Sequence, residues 1–176
     1  PASATVTVNV VANPDAGSPG MITLCTTDGI ADLFAQLGGT PDAGGTWSGP
    51  SVLVGSSLDP ATMSAGIYTY TITVPPPCNN ASSTVTVALI APPDPGTDGA
   101  LTLCISSPAT DLFSSLGGTP EVGGSWTATG GVAFSGSFDP ATDAPGIYTY
   151  TVNGTTPCPP ASSTVTVSVI TLPDPG

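Results

Sequence analysis

The 176-residue chain contains no lysine, arginine or histidine, whereas 12 acidic residues give it a formal net charge of −12. Without histidine it lacks the side chain that most often serves as a general base near neutral pH. Without lysine and arginine it has no cation to bind phosphate, which argues against nucleic acid as a partner. It also lacks an apolar run long enough to cross a bilayer, so direct membrane insertion is not expected. We therefore predict a protein that is not an enzyme.

What the chain does have is an internal repeat. The phrase Gly-Ile-Tyr-Thr-Tyr-Thr occurs at residues 66–71 and again at 146–151, and Trp47 recurs as Trp126. A period of this length corresponds to a whole small domain rather than to one turn of a solenoid. The predicted organisation is one repeat at 14–92, a second at 93–172 and the start of a further linker at 173–176.

Residues 1–13 contain an additional copy of the phrase that closes each repeat. Ala2–Val8 has nearly the same sequence as Ala81–Val87 and Ala161–Val167. One interpretation is that 1–13 is the closing strand of a preceding repeat, in an excerpt from a longer array. The alternative is a donor strand that inserts into a neighbouring chain, as in strand-complemented fibres. The residues that would then mediate strand exchange are Val6, Val8 and Val10.

Composition and periodicity both predict an all-β fold. The 22 glycines and 21 prolines separate short runs of Val, Thr, Ile and Tyr. Strict alternation of apolar and polar residues, as in 67–74, is typical of an antiparallel strand with one buried face. About six or seven such strands in each repeat predict a two-sheet β-sandwich. The single helical candidate in each repeat is one or two turns long, at 32–37 and 111–116.

The four cysteines occupy matching positions, two in each repeat. Pairing within each repeat would keep the repeats symmetric, so we predict the disulfides Cys25–Cys78 and Cys104–Cys158. In the loop-closure view, each bridge would stabilise its domain by about 4 kcal/mol. Disulfides form in oxidising compartments, which predicts a location at the cell surface or outside the cell.

Together, the phrases PDAG, LTLC, DLF, LGGTP, GIYTYT and ASSTVTV resemble the tandem immunoglobulin-like repeats of very large secreted surface proteins of Bacteroidota, adhesins and gliding-type proteins among them. The resemblance covers nearly the whole chain. It implies two immunoglobulin-like β-sandwiches that serve as a stalk or filament building block of an exported adhesin or extracellular fibre. The predicted partners are neighbouring repeats of the same protein, and the alternative is a filament subunit that assembles itself into fibres. Because Cys78 lies well beyond Tyr70, the bridge is expected to tie a loop to the first strand at one end of the sandwich.

The aromatic residues of each repeat are predicted to lie in its core. Trp47 and Trp126 each follow closely after a Gly-Gly pair, which allows close packing. The alternative is that they are platforms on which the sugars of a surface polysaccharide stack, as in a glycan-binding module. The tyrosines share a strand face with apolar residues and are likewise assigned to the core: Tyr68, Tyr70, Tyr148 and Tyr150.

The acidic residues near the repeat junctions have two interpretations. Calcium prefers six to eight oxygen ligands, and a calcium ion at a junction would stiffen a rod of domains. The alternative is that negative charge keeps a threonine-rich sandwich soluble and prevents its edges from pairing. No other cofactor is predicted. The candidate calcium ligands are Asp15, Asp94, Asp98 and Asp174.

Overall fold

A computed structural model describes residues 1–171. The chain divides into two compact units, of which the first runs from Pro1 to Ile90 and the second begins at Ala91. The predicted linker at 173–176 lies outside the described residues. Among residues 1–171, no helix is long and apolar enough to span a bilayer.

The first unit is built from six strands and one turn of 3-10 helix, Phe34–Gln36, which lies within the predicted helical segment. The strands are β1 Gly20–Cys25, β2 Ala31–Asp32, β3 Thr46–Ser48, β4 Ser57–Leu58, β5 Gly66–Ile72 and β6 Ala81–Ile90. Four of them form the larger sheet, in the order β1-β6-β5-β3, and β2 pairs with β4 in a second, smaller sheet.

The second unit repeats this plan with one additional strand. The strands are β7 Gly99–Cys104, β8 Thr110–Asp111, β9 Ser125–Ala128, β10 Val132–Phe134, β11 Ser137–Phe138, β12 Gly146–Val152 and β13 Ala161–Ile170. The larger sheet has the order β10-β9-β12-β13-β7, and β11 pairs with β8. A 3-10 turn covers Leu112–Ser115.

The first and last strands of each unit run parallel to each other, while the other pairs of named strands are antiparallel. In the first unit, β1 pairs with β6 from Gly20↔Val85 to Cys25↔Ile90. The second unit has the same register between β7 and β13. Parallel pairing is possible because almost the whole domain connects the two strands. As a result, the chain enters each sandwich at one end and leaves it at the other.

The core of each unit lies between its two sheets. In the first unit, the alternating pattern of β5 and β6 buries Tyr68, Tyr70 and Val85. They share a core with Leu58 of the smaller sheet and with Leu33, which caps the 3-10 turn. Equivalent residues pack in the second unit, namely Leu112, Phe138, Tyr148, Tyr150 and Val165. The all-β, immunoglobulin-like sandwich is therefore confirmed for both repeats, and the four tyrosines lie in the cores.

Residues 1–13 form no strand with any segment of the described residues 1–171, so their assignment as the closing strand of a preceding repeat or as a donor strand stays a prediction. They lie in an irregular segment, and the side chains of Val6, Val8 and Val10 are 86%, 77% and 91% exposed. A strand needs a neighbour to hydrogen-bond its backbone. In the first unit, the position for this phrase is already occupied by β6, between β1 and β5.

The cysteine pairing differs from the prediction. Cys78 and Cys104 have free thiols, whereas Cys25 and Cys158 are each disulfide-bonded, so neither Cys25–Cys78 nor Cys104–Cys158 forms. Cys25 lies beside Ile90 at the end of β6, whereas Cys78 precedes the start of that strand. A strand as long as β6 spans about 30 Å. A disulfide requires Cα atoms within about 7 Å, so Cys25 and Cys78, at opposite ends of the sandwich, cannot form the predicted bridge.

Candidate functional site

The candidate site of the first unit is a concave surface beside Trp47, which we call the Trp47 cleft. It has a volume of about 450 Å³. Its aromatic walls come from three elements: Trp47 from β3, Tyr70 from β5 and Phe34 from the 3-10 turn. The remaining lining residues are Ala43, Gly44, Gly45, Thr46, Leu53, Gly55 and Ser56.

Tyr70 is the central residue of this wall. Its ring centroid lies 5.4 Å from that of Phe34 in an edge-to-face arrangement and 5.2 Å from that of Trp47. The Tyr70 hydroxyl donates a hydrogen bond to the Asp42 carbonyl at 2.7 Å and accepts one from the Gly45 N–H at 2.8 Å. The hydroxyl therefore fixes the loop that borders the cleft, and the rings supply a surface without charge.

The equivalent surface of the second unit is smaller, about 270 Å³. There Phe134 of β10 lies opposite Trp126 in the strand register, and its ring centroid is 4.6 Å from that of Tyr148. Trp126 is only 8% exposed, whereas Trp47 is half-buried. Burial raises the pKa of the Tyr148 phenol, and the nearby Asp143 carboxylate raises it further. The core prediction thus describes Trp126 well, while Trp47 is shared between the core and the cleft.

One short sequence difference accounts for the open cleft. In the second unit, Gly130 and Gly131 have φ values of 86° and 78°, in the turn between β9 and β10. Such tight hairpin turns need positive φ, which glycine adopts without strain. The first unit has Pro50 in this region; proline has no N–H to donate and cannot adopt positive φ. No strand equivalent to β10 forms there among the described residues, so Trp47 remains accessible.

The sequence missed two members of the cleft. Phe34 and Leu53 line it, yet neither was proposed as a site residue. The repeated phrase Asp-Leu-Phe was a usable signal, because Leu33 is fully buried and the next residue, Phe34, turns towards Tyr70. Leu53 had no such signal, since it lies in an irregular loop between β3 and β4.

Three of the candidate calcium ligands accept hydrogen bonds from backbone N–H groups. The Asp15 and Asp94 carboxylates accept hydrogen bonds from the N–H groups of Gly17 and Gly96, both at 2.8 Å. The Asp98 carboxylate accepts one from the Thr164 N–H at 2.7 Å. No group of three or more acidic or cysteine side chains suited to a metal ion occurs within residues 1–171. Asp174 lies outside the described residues.

No protein-family description matches the chain, and no curated protein is significantly similar to it. Solved structures with detectable similarity include an I-band fragment of titin, with a TM-score of 0.49 and 14% identity over 90% of this chain. Domains 1–4 of the immunoglobulin-domain protein Sidekick-1 give a TM-score of 0.33 and 16% identity over 90% of this chain. A fragment of human protocadherin-24 gives 0.34 and 14% identity over 88% of this chain and 95% of that chain. The chain spans 64% of the titin fragment and 51% of the Sidekick-1 structure. At these TM-scores the similarities add nothing to what the strand order establishes.

Proposed function

We propose that the chain is a load-bearing segment of an exported bacterial surface adhesin or extracellular fibre, in which each β-sandwich serves as a stalk unit. The observation that carries this proposal is the parallel pairing of the first and last strands in both units. The disulfide-bonded state of Cys25 and Cys158 is consistent with an oxidising compartment outside the cytoplasm. The resemblance of the repeat phrases to secreted surface proteins supports the same location.

The parallel pair has a direct mechanical consequence. Tension applied between the start of β1 and the end of β6 acts at opposite ends of the six-residue ladder from Gly20↔Val85 to Cys25↔Ile90. This force acts along the strands, so the hydrogen bonds between them are loaded together. A hairpin pulled from its open end instead loses its hydrogen bonds one after another. A β-sandwich loaded along its parallel β1–β6 pair therefore resists unfolding under tension better than one loaded at the open end of a hairpin.

Force spectroscopy on the full chain provides the test. Handles at Ser18 and Ala91 apply shear to the first sandwich, whereas handles at Ala65 and Ala91 peel β5 away from β6 on the same protein. We expect a several-fold higher unfolding force in shear, because the whole β1–β6 ladder must break at once. Equal forces in the two geometries would contradict a load-bearing function, since the parallel pair would then add no resistance.

A second candidate function is glycan binding at the Trp47 cleft, favoured by the exposed part of Trp47 in a groove walled by aromatic rings. Sugar rings stack on such faces. The Trp126→Phe variant leaves Trp47 as the only tryptophan, so its fluorescence can be titrated with polysaccharides. We expect a saturable shift that disappears in a further Leu53→Asp variant, which places charge in the cleft. No shift with any polysaccharide tested would remove this candidate.

Strand donation by residues 1–13 is the less favoured mode of self-assembly. The donated phrase is a copy of β6 and β13, and each described unit already contains its own copy. The exposed segment with Val6, Val8 and Val10 would therefore need a partner that lacks its closing strand. Two copies of this chain do not provide such a position for each other, because β6 and β13 already fill it in each copy.

A further inference from the structure

Each repeat carries one cysteine at each of its two ends. We call the end where the last strand begins the incoming end and the end where it finishes the outgoing end. Cys25 pairs with Ile90 and Cys104 pairs with Ile170, so both lie at the outgoing ends of their units. Cys78 and Cys158 precede the first residues of β6 and β13, Ala81 and Ala161, so both lie at incoming ends.

Each kind of end has one disulfide-bonded cysteine and one free cysteine. One outgoing-end cysteine, Cys25, and one incoming-end cysteine, Cys158, are disulfide-bonded. One of each kind, Cys104 and Cys78, has a free, half-buried thiol. Since the two repeats are near copies, Cys104 is equivalent to Cys25, and Cys78 is equivalent to Cys158. The free pair therefore consists of residues whose equivalents are oxidised in this same protein.

We propose that copies of this chain join head to tail through disulfides between Cys104 of one copy and Cys78 of the next. Both thiols lie at sandwich ends rather than in a core, and they belong to opposite kinds of end. A linkage from Cys104 of one copy to Cys78 of the next joins two different surfaces, so it extends into open chains wherever the rotation between copies does not close a ring. This inference goes beyond the load-bearing function, because it assigns covalent assembly to two named side chains.

The surroundings of Cys104 favour the reaction. The Ser106 hydroxyl donates a hydrogen bond to the Cys104 sulfur at 3.5 Å, and this contact, with help from nearby backbone N–H groups, lowers the pKa of the thiol. A larger thiolate fraction at neutral pH increases the population of the attacking species. The Cys78 thiol donates only a long contact, 3.9 Å, to the Val11 carbonyl, which does not remove it from solvent.

The bond forms by thiol–disulfide exchange with a small-molecule disulfide, such as oxidised glutathione. The Cys104 thiolate attacks one sulfur of the oxidant, forming a mixed disulfide and releasing one glutathione thiolate. The Cys78 thiolate of a second copy then attacks the Cys104 sulfur and releases the other glutathione thiolate. Two protein thiols are oxidised, and one molecule of glutathione disulfide is reduced to two thiols.

The test uses the full chain in a buffer of oxidised and reduced glutathione, followed by non-reducing electrophoresis and peptide mapping. We expect a reducible ladder of dimers, trimers and longer species, with Cys78–Cys104 as the mapped linkage. An equimolar mixture of Cys78→Ser and Cys104→Ser variants should stop at dimers, and these should form at least several-fold faster than in either variant alone. The double variant should remain monomeric, with an unchanged circular dichroism spectrum.

Three outcomes would overturn the proposal. The wild-type chain could stay monomeric under oxidising conditions, each single variant could dimerise as fast as the mixture, or the mapped linkage could involve Cys25 or Cys158. The shear measurement is made on single molecules and needs no bond between copies. Failure of head-to-tail linkage is therefore distinguishable from failure of the load-bearing function.

Discussion

Replacing Gly20 with alanine is expected to destabilise the first sandwich at the upper end of what overpacking costs, about 3 kcal/mol. A Cβ at this position would lie 1.9 Å from the Gln36 carbonyl oxygen. That oxygen belongs to the backbone of the 3-10 turn, so it cannot rotate away as a flexible side chain would. Either β1 or the turn must move, and β1 is fixed by its ladder with β6. Urea denaturation of the variant gives the change in the free energy of unfolding.

Gly29→Ala is the matched control, because nothing lies within 4 Å of a Cβ built at that position. Its effect is expected to stay within about 0.5 kcal/mol, as for an ordinary surface change. The second repeat offers an internal duplicate, since a Cβ at Gly99 would lie 1.8 Å from the Ser115 carbonyl oxygen. Similar stabilities for Gly20→Ala and Gly29→Ala would contradict the close approach of β1 to the 3-10 turn.

Sequence periodicity predicted the parts of the fold that depend on local alternation. The segment from Gly66 to Ile72 alternates between buried and less buried side chains, as β5 does in the structure. The glycine-punctuated runs gave the strand number of each sandwich to within one. Pairing direction was harder, because the parallel contact between β1 and β6 joins segments from opposite ends of the repeat. Alternation within a strand carries no information about its partner.

The predicted disulfide pairing was wrong because it relied on the symmetry of the two repeats and ignored the distance between the two cysteines within one repeat. Cys25 and Cys78 occupy the same positions in the first repeat as Cys104 and Cys158 in the second. Pairing within each repeat would therefore have kept the two repeats symmetric. The ten-residue strand β6, however, separates the two ends at which these residues lie. The distance follows only when the register is known, since Cys25 is placed by its pairing with Ile90. A repeat alignment gives equivalence between residues, not proximity.

The Trp47 cleft shows the same limit on a smaller scale. Trp47 and Trp126 are equivalent in sequence, yet only Trp126 is buried, on strand β9, which pairs with the additional strand β10 that carries Phe134. The difference depends on a turn with Gly130 and Gly131 in one repeat and on Pro50 in the other. This sequence difference between the repeats accounts for the open cleft in the first unit. Where two repeats are otherwise alike, such a difference indicates where their surfaces differ.

The Tyr70→Ala variant should lose about 3–5 kcal/mol of unfolding free energy, comparable to removing another large aromatic residue from a core. Tyr70 is 2% exposed, and its ring packs against both Phe34 and Trp47. Truncation would remove the contacts between the β3 and β5 side chains and leave a cavity next to the cleft. Calorimetric or denaturant unfolding would measure the loss, and a cost below about 1.5 kcal/mol would show that the ring is not central to the core.

The Tyr70→Phe variant separates the hydroxyl from the ring. It retains the ring contacts but leaves the Gly45 N–H and the Asp42 carbonyl without their partner, which should cost about 1–3 kcal/mol. Tyr68→Phe is the matched control, since the Tyr68 hydroxyl makes one hydrogen bond, to the Ser64 carbonyl, where the Tyr70 hydroxyl makes two. With one partner lost and no backbone N–H left without its acceptor, the control should cost less, at most about 1 kcal/mol. If the two phenylalanine variants were equally stable, the Tyr70 hydroxyl would not be what holds the 42–45 loop beside the cleft.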